Sequence, residues 1–459
     1  MFNTMKYVKQ DMIQGDIPTF KKSAKEVMKI VWPSMLEAFL VALTVLLDGI
    51  MVADIIGKDA NTGISLVKQI VLLQISLITV ISICMTAVIA RRRGENAPEK
   101  ANKAMHQGIQ FAFLMSVFVA VAFGMFSTQL ATLMASADTS SSVIEMGATY
   151  LQVMSLGFVF NALRLVINTG QRSIGNTKIS LITNVAAALT NLGLNFLLIP
   201  TMGIAGGALA TVLSNGMALL ISIIAIIPKK SFLHLNMKYL FKFDLESFNV
   251  FKKLFPGAFI DQMLLRAGFL ILAFIINNLG EQATYVNGLC IDVNSLVFTL
   301  ADGFAIGTSA IIGRKLGEKR KDHAIVYSRV SMTLSVFISV VVGVVMIFVR
   351  PLLLQLYDCP PEDFALAQNV LIIATLTVVP QNIQWVITGI LRGSGDTKFT
   401  AMTSFISIVI MRPAITYLLC YTFGLGLYGS WFGMLADQTI RCLANVWRYK
   451  SGIWLHIKV

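Results

Sequence analysis

Four side chains of this chain could together hold a small hard cation: Asp48, Asn191, Asn195 and Thr211. Asp48 stands in the apolar run LLDGIMVADIIG, nine residues before Gly57. If the run is a helix, Asp48 lies roughly 12 Å below its end at ~1.5 Å per residue. Asn191 and Asn195, in NLGLN, are four apart and share one helix face. They precede Pro200 by nine and five residues, and Thr211 follows Gly203 by eight. One carboxylate, two amides and one hydroxyl therefore fall at similar depth. Oxygen donors carrying one negative charge suit a small hard cation. The same groups would serve equally as a hydrogen-bonded cluster that glues helices together with no ion.

Other ionisable groups interrupt apolar stretches, where they are costly and point to function. Glu37 precedes Asp48 by eleven residues, three helical turns, so the two share a face. Asp261 follows Pro256 by five. Arg266 is five further on, about 140° round the helix, and is a poor partner for it. Asp261 is therefore expected to lack a neutralising neighbour on its own helix. Asp302 interrupts the span 285–313, whereas Asp437 and Arg441, four apart, are expected to pair structurally. Arg164 and Arg412 are candidate accessory residues, Arg412 beside a proline kink. Lys68 is close enough to a segment end to snorkel.

The elements that must position these groups follow from composition. The 459 residues are 56% hydrophobic and 13% charged, with a mean hydropathy of +0.74. That is an integral membrane protein. The apolar stretches do not alternate as barrel strands do. Twelve helical spans are expected: 30–56, 64–90, 107–136, 143–169, 178–199, 204–227, 250–279, 285–313, 324–349, 364–391, 399–422 and 426–447. Among loops after odd-numbered spans only Lys58 and Arg350 are basic, and the remaining loop Lys and Arg lie after even-numbered spans. Basic loops stay cytoplasmic, so both termini are expected inside a cell or plasma membrane.

Several function classes drop out. The net charge of +13 is expected to orient the chain and meet anionic lipid headgroups, with no nucleic-acid partner. Five Cys without a C-x-x-C predict neither a disulfide framework nor a zinc site. The four His have no metal spacing, and no G-x-x-x-x-G-K-[ST] motif occurs. An enzyme is not expected, nor a cofactor; energy would come from an ion gradient. The N-terminal segment lacks a cleavable signal core, so the first span is expected to direct insertion.

The chain is written twice. Pro33 and Pro256, Gly57 and Gly280, and Arg91 and Arg314 each stand 223 positions apart. RRRGENAPEKA at 91–101 matches RKLGEKRKDHA at 314–324, and RSIGNTK at 172–178 matches RGSGDTK at 392–398. The expected organisation is a cytoplasmic segment 1–29, a six-helix lobe 30–227, a linker 228–249, a six-helix lobe 250–449 and a tail 450–459. Six spans per half predict two bundles of the same orientation about a pseudo-two-fold axis, a transporter device. The repeated R-x-x-G-[ND]-T-K reads as a cytoplasmic turn: Gly bends it, and Asn or Asp with Thr caps the next helix.

Twelve spans in two halves, the R-[SG]-x-G-[ND]-T-K pair and the Asp in LLDGIMVADIIG resemble the multidrug and toxic compound extrusion (MATE) family over about residues 25–450. The resemblance implies an all-α antiporter that exports small organic, often cationic, compounds in exchange for Na⁺ or H⁺. It implies a cation site at Asp48, Asn191, Asn195 and Thr211, with Na⁺ as the candidate metal ion. One branch carries Asp where Asn195 stands, and Asn195 favours the branch that often uses sodium. The second half lacks this set, with Ile271 and Met434 at the corresponding places. There the resemblance implies coupling or substrate contact at Asp261, while Gln381 replaces an acid often found eleven residues before the motif Arg. Asp302 has no such support. A monomer is expected. The competing readings are a flippase for a lipid-linked saccharide, a membrane-embedded enzyme and a passive channel.

Overall fold

The computed structural model describes residues 8, 12–56, 58–135, 139–228, 231–240, 242–356 and 359–457. Among these residues there is no strand. The helices are α1 (Phe20–Ile55), α2 (Lys58–Gly94), α3 (Pro98–Met125), the short α4 (Ser127–Met134), α5 (Ser141–Ser173), α6 (Thr177–Ile226), α7 (Met237–Leu240), α8 (Leu245–Asn277), α9 (Glu281–Gly317), α10 (Lys321–Leu356), α11 (Pro361–Ser394), α12 (Thr397–Ser404), α13 (Arg412–Tyr417) and α14 (Gly426–Ser451). Two π-helical stretches, Phe405–Met411 and Leu418–Thr422, join α12 and α13 into one span that ends at Thr422.

Ten segments are long and apolar enough to cross a membrane. One of them, α6, is two passes in one: the backbone breaks at Gly203 (φ 60°, ψ −138°), three residues after Pro200. The more polar α14 completes the expected twelve. The protein is an all-α, multi-pass membrane protein.

The chain forms two compact units, Met1–Met35 with Leu254–Val459, and Leu36–Lys253. In the first, Val31 and Met35 of α1 pack with Phe304 and Ile311 of α9 and Ile387 of α11. Trp431 of α14 is buried with Val286 and Leu371. In the second, Val67 and Ile70 of α2 meet Ala148 and Leu151 of α5.

The internal repeat is visible in backbone geometry. The turn after α2 and the turn after α9 each contain a non-glycine residue with left-handed φ, Asn96 (53°) and Lys319 (58°), 223 positions apart. Their hydrogen bonds correspond: Asn96 N–H donates to Arg93 O, and Lys319 N–H to Leu316 O. In the two R-x-x-G turns, Gly175 (87°) and Gly395 (91°) take the left-handed conformation that a side chain resists. Gly175 N–H donates to Arg172 O at 2.9 Å, and Gly395 N–H to Arg392 O at 3.0 Å. The expected caps are a correction. Neither Asn176 nor Asp396 caps the helix it precedes. Asn176 donates instead to Gln171 at 3.1 Å, and Asp396 accepts from Arg448 at 2.7 Å.

The segment after α6 is held along the N-terminal part of α3. Asn102 donates to Phe232 O at 2.8 Å and accepts from His234 N–H at 2.9 Å. Gln110 donates to Leu240 O at 2.6 Å, and Gln107 accepts from Asp244 N–H at 2.9 Å. His106 Nε2 accepts from Asn236 N–H at 3.0 Å, so its proton sits on Nδ1 and goes to Asn102 O at 2.7 Å. These four side chains hold main-chain groups of the segment, and Tyr239 Oη adds a side-chain bond to Glu99 of α3 at 3.3 Å.

Candidate functional site

The structure joins Asp48, Asn191, Asn195 and Thr211 into one chain of hydrogen bonds. Asn195 Nδ2 donates to Asp48 Oδ1 at 2.6 Å and lies 3.3 Å from Asn191 Oδ1. Asn191 Nδ2 donates to Thr211 Oγ1 at 3.2 Å, which donates to Gly207 O at 3.2 Å. The break at Gly203 makes this possible, because it folds the second limb of α6 back against the first. Both amides are buried, and Asp48 is half-buried.

One atom stands out. Asn195 Oδ1 is buried with no hydrogen-bond partner. A buried amide oxygen without a donor is costly. Together with Asp48, Asn191 Oδ1 and Thr211 Oγ1 it forms a donor set of four residues around one carboxylate, the chemistry of a hard monovalent cation site. Turning the Asn195 amide over would present that oxygen to Asp48, which suits a protonated carboxyl. The site can therefore register either a cation or a proton. Among the described residues no cluster of three His, Cys, Asp or Glu could hold a metal.

A mostly apolar cavity of about 30 Å³ lies one turn from Thr211, with Gln74, Asn161 and Asn215 as its polar lining. It has room for a water molecule. Asn215 donates to Thr211 O at 2.9 Å.

Glu37 belongs to a second polar group three turns below Asp48. Its Oε1 accepts from Arg172 Nη1 at 2.5 Å and from Asn184 Nδ2 at 2.9 Å. Arg164 donates to Asn184 Oδ1 at 2.5 Å and to Asn161 Oδ1 at 2.9 Å. Sequence reasoning missed Asn184 and treated Arg172 only as a loop charge. A signal existed: Asn184 precedes Asn195 by eleven, as Glu37 precedes Asp48.

In the second half, Asp261 finds its neutralising partner outside its own helix. Arg392 Nη2, from the repeated motif, donates to Asp261 Oδ2 at 2.5 Å, and Ser404 donates to Oδ1. The partner comes from α11, which no inspection of the Asp261 helix could supply. Gln381 is fully buried, and neither of its amide atoms has a hydrogen-bond partner among the described residues. Asp302 is half-buried on α9. Asp437 pairs with Arg441 at 2.8 Å, as the spacing predicts, and Arg412 Nη1 stands 4.0 Å from the same carboxylate. Lys68 is exposed.

Comparison with known proteins gives consistent matches. The family model described as MatE matches residues 33–197 and 258–418. A probable multidrug resistance protein NorM of Thermotoga maritima is 27% identical over 445 residues, covering 94% of this chain and 93% of the relative. An uncharacterized transporter, YisQ, of Bacillus subtilis is 24% identical over 435 residues, covering 93% and 94%. A solved structure described as the outward-facing conformation of a multidrug resistance MATE family transporter of the MOP superfamily superimposes with a TM-score of 0.88. The match has 18% identity and covers 95% of this chain and 97% of that one. A crystal structure of MATE in the bent conformation superimposes at 0.86, with 18% identity and coverage of 95% and 96%.

Proposed function

We infer, from the premise that this chain belongs to the MatE family, that it is a secondary antiporter. It exports small organic compounds, cationic ones among them, in exchange for Na⁺ or H⁺. It does so in a cell membrane, with both termini cytoplasmic. The observation that carries this reading is the hydrogen-bonded chain Asp48–Asn195–Asn191–Thr211, with its unpartnered Asn195 oxygen.

Asp48 is the only carboxylate in that cluster. It alone can offset a cation's charge in a low-dielectric setting. Asn191, Asn195 and Thr211 supply neutral oxygens. An ion bound there draws α1 and both limbs of α6 together and favours one access state; its departure favours the other. Such an ion drives exchange only through different affinities in the two states.

The test is reconstitution into proteoliposomes carrying an imposed Na⁺ or pH gradient, with a fluorescent organic cation as reporter. Movement of the reporter against its own gradient, stopped by collapsing the ion gradient, supports the reading. Movement indifferent to both gradients sinks it.

A further inference from the structure

Arg164 of α5 carries a charge whose direct partners are neutral. Its Nη1 donates to Asn184 Oδ1 at 2.5 Å and its Nη2 to Asn161 Oδ1 at 2.9 Å, so both acceptors are amides. Its Nε is buried without an acceptor. The acid one amide away, Glu37, is committed: Oε1 accepts from Asn184 at 2.9 Å and is ion-paired with Arg172 at 2.5 Å. Glu37 and Arg172 already cancel, and Arg164 adds a positive charge beyond neutrality. Such a charge inside an apolar span is costly and marks a function.

That charge stands across a polar route. On one side, Asn184 leads to Glu37 and Arg172, and Arg172 lies in the turn that joins α5 to α6. On the other, Asn161 lines the cavity of about 30 Å³ with Gln74 and Asn215. Three amides give a water there the partners it needs. Asn215 donates to Thr211 O at 2.9 Å, and from Thr211 the hydrogen bonds run through Asn191 and Asn195 to Asp48. Heights above the turn rise in the same order. Arg164 and Asn161 precede the end of α5 at Ser173 by nine and twelve residues, roughly 14 and 18 Å. Asn191 and Asn195 follow the start of α6 at Thr177 by fourteen and eighteen, roughly 21 and 27 Å. The whole route belongs to one compact unit, Leu36–Lys253.

Amides, a hydroxyl and carboxylates, with water between them, can hand on a cation or a proton. A guanidinium cannot. It has no lone pair to accept a proton, it keeps its own, and its charge repels a metal cation in a low-dielectric setting. Amide oxygens pin both Nη groups, so the charge stays across the route. An arginine excludes protons and cations from water-filled pores in the same way.

We propose that Arg164 is the barrier that keeps the coupling ion of Asp48 from slipping through this half to the R-x-x-G turn. The ion then leaves only when the access state changes, and the gradient is dissipated only when cargo moves. The proposal rests on the export reading above and adds the residue that keeps exchange tight.

The test uses the full chain in proteoliposomes with an imposed Na⁺ or pH gradient. Entry of radiolabelled Na⁺, or of protons read by a trapped pH dye, is measured without cargo. Movement of a fluorescent organic cation is measured under the same gradients. Wild type is expected to admit little of either ion without cargo. Arg164→Gln removes the charge, and cargo-free entry of the coupling ion should rise about tenfold or more, while chloride entry stays within about twofold. Adding Asp48→Asn should close the route again, because the route starts there. Arg164→Lys keeps the charge and should stay within about threefold of wild type. Asn161→Asp sets a carboxylate against the guanidinium, cancels its charge in place and should open the same route; it carries the test if Arg164→Gln does not fold. Ion entry at the wild-type level in whichever of these two variants folds overturns the proposal. So does chloride entry that rises in step with the cation, a leak as large in Arg164→Lys, or a leak that survives Asp48→Asn. Wild type that moves the organic cation indifferently to both gradients overturns the export reading instead.

Discussion

Asn195 donates to Asp48 from 147 positions downstream, and Asn184 donates to Glu37 from the same 147. The two pairs are rungs between parallel stretches of α1 and α6, three turns apart. Thr44 and Asn191 occupy the same register between them. The upper rung ends in amides and a hydroxyl, and the lower in two guanidiniums. One helix pair thus carries a carboxylate among neutral polar groups at one rung and a salt-bridged carboxylate at the other.

For the upper rung, Asp48→Asn is expected to abolish gradient-driven efflux in proteoliposomes while cargo binding by calorimetry persists. Asn195→Ala should weaken apparent ion affinity about tenfold, the loss of one well-placed ligand, with less effect on the maximal rate. Gradient-driven transport that survives intact in Asp48→Asn would move the coupling site elsewhere, Asp261 being the first place to look.

For the lower rung, the side chains of Glu37 and Arg172 are each 9% exposed. Removing one partner strands the other as a buried charge, at a cost of about 3–5 kcal/mol. Glu37→Gln should therefore lower the melting temperature sharply. Adding Arg172→Gln should recover part of the loss, because the pair then vanishes together. Strictly additive losses would mean that the two charges do not interact.

The second half should show the same coupling between Asp261 and Arg392. Asp261→Asn is expected to impair transport, and a double-mutant cycle with Arg392→Gln should give an interaction of about 1–3 kcal/mol in thermal stability. Normal transport by Asp261→Asn would leave its carboxylate a structural anchor of the motif turn.

Turn geometry predicts opposite signs at two repeats. Gly175→Ala places a side chain at φ 87° and should cost about 1 kcal/mol. Lys319→Gly relieves a side chain already held at φ 58° and should raise stability by about 1 kcal/mol. Thermal unfolding in nanodiscs reads both.

Orientation is tested by single cysteines in a Cys-free background. Asn61→Cys and Ser140→Cys should react with an impermeant reagent from outside, and Asn96→Cys and Arg320→Cys only from inside. External labelling at 320 would overturn the proposed orientation.

Hydropathy and the sidedness of Lys and Arg made the helical architecture and the repeat legible, because a bilayer imposes segment length and loop charge directly. Asp48, Asn191, Asn195 and Thr211 were legible because depth could be counted from Gly57, Pro200 and Gly203. Helix ends were less so: Pro200 and Gly203 mark a break, yet α6 runs on to Ile226 with a single non-helical residue. Long-range ion pairs were not legible. Arg172 and Arg392 sit beside basic loops, where charge is explained by orientation alone, and nothing local ties them to acids 135 and 131 positions earlier.

The capture of the segment after α6 by Asn102, His106, Gln107 and Gln110 has an evolutionary corollary. A strap gripped by its amides and carbonyls is more sensitive to its length than to most of its side chains, the buried Leu233 and Tyr239, which donates to Glu99, being exceptions. Point substitutions at exposed positions such as Met237 should be nearly silent, whereas a single-residue deletion would slide every later grip out of step. Outside its anchored side chains, that stretch is free to drift in spelling but not in length.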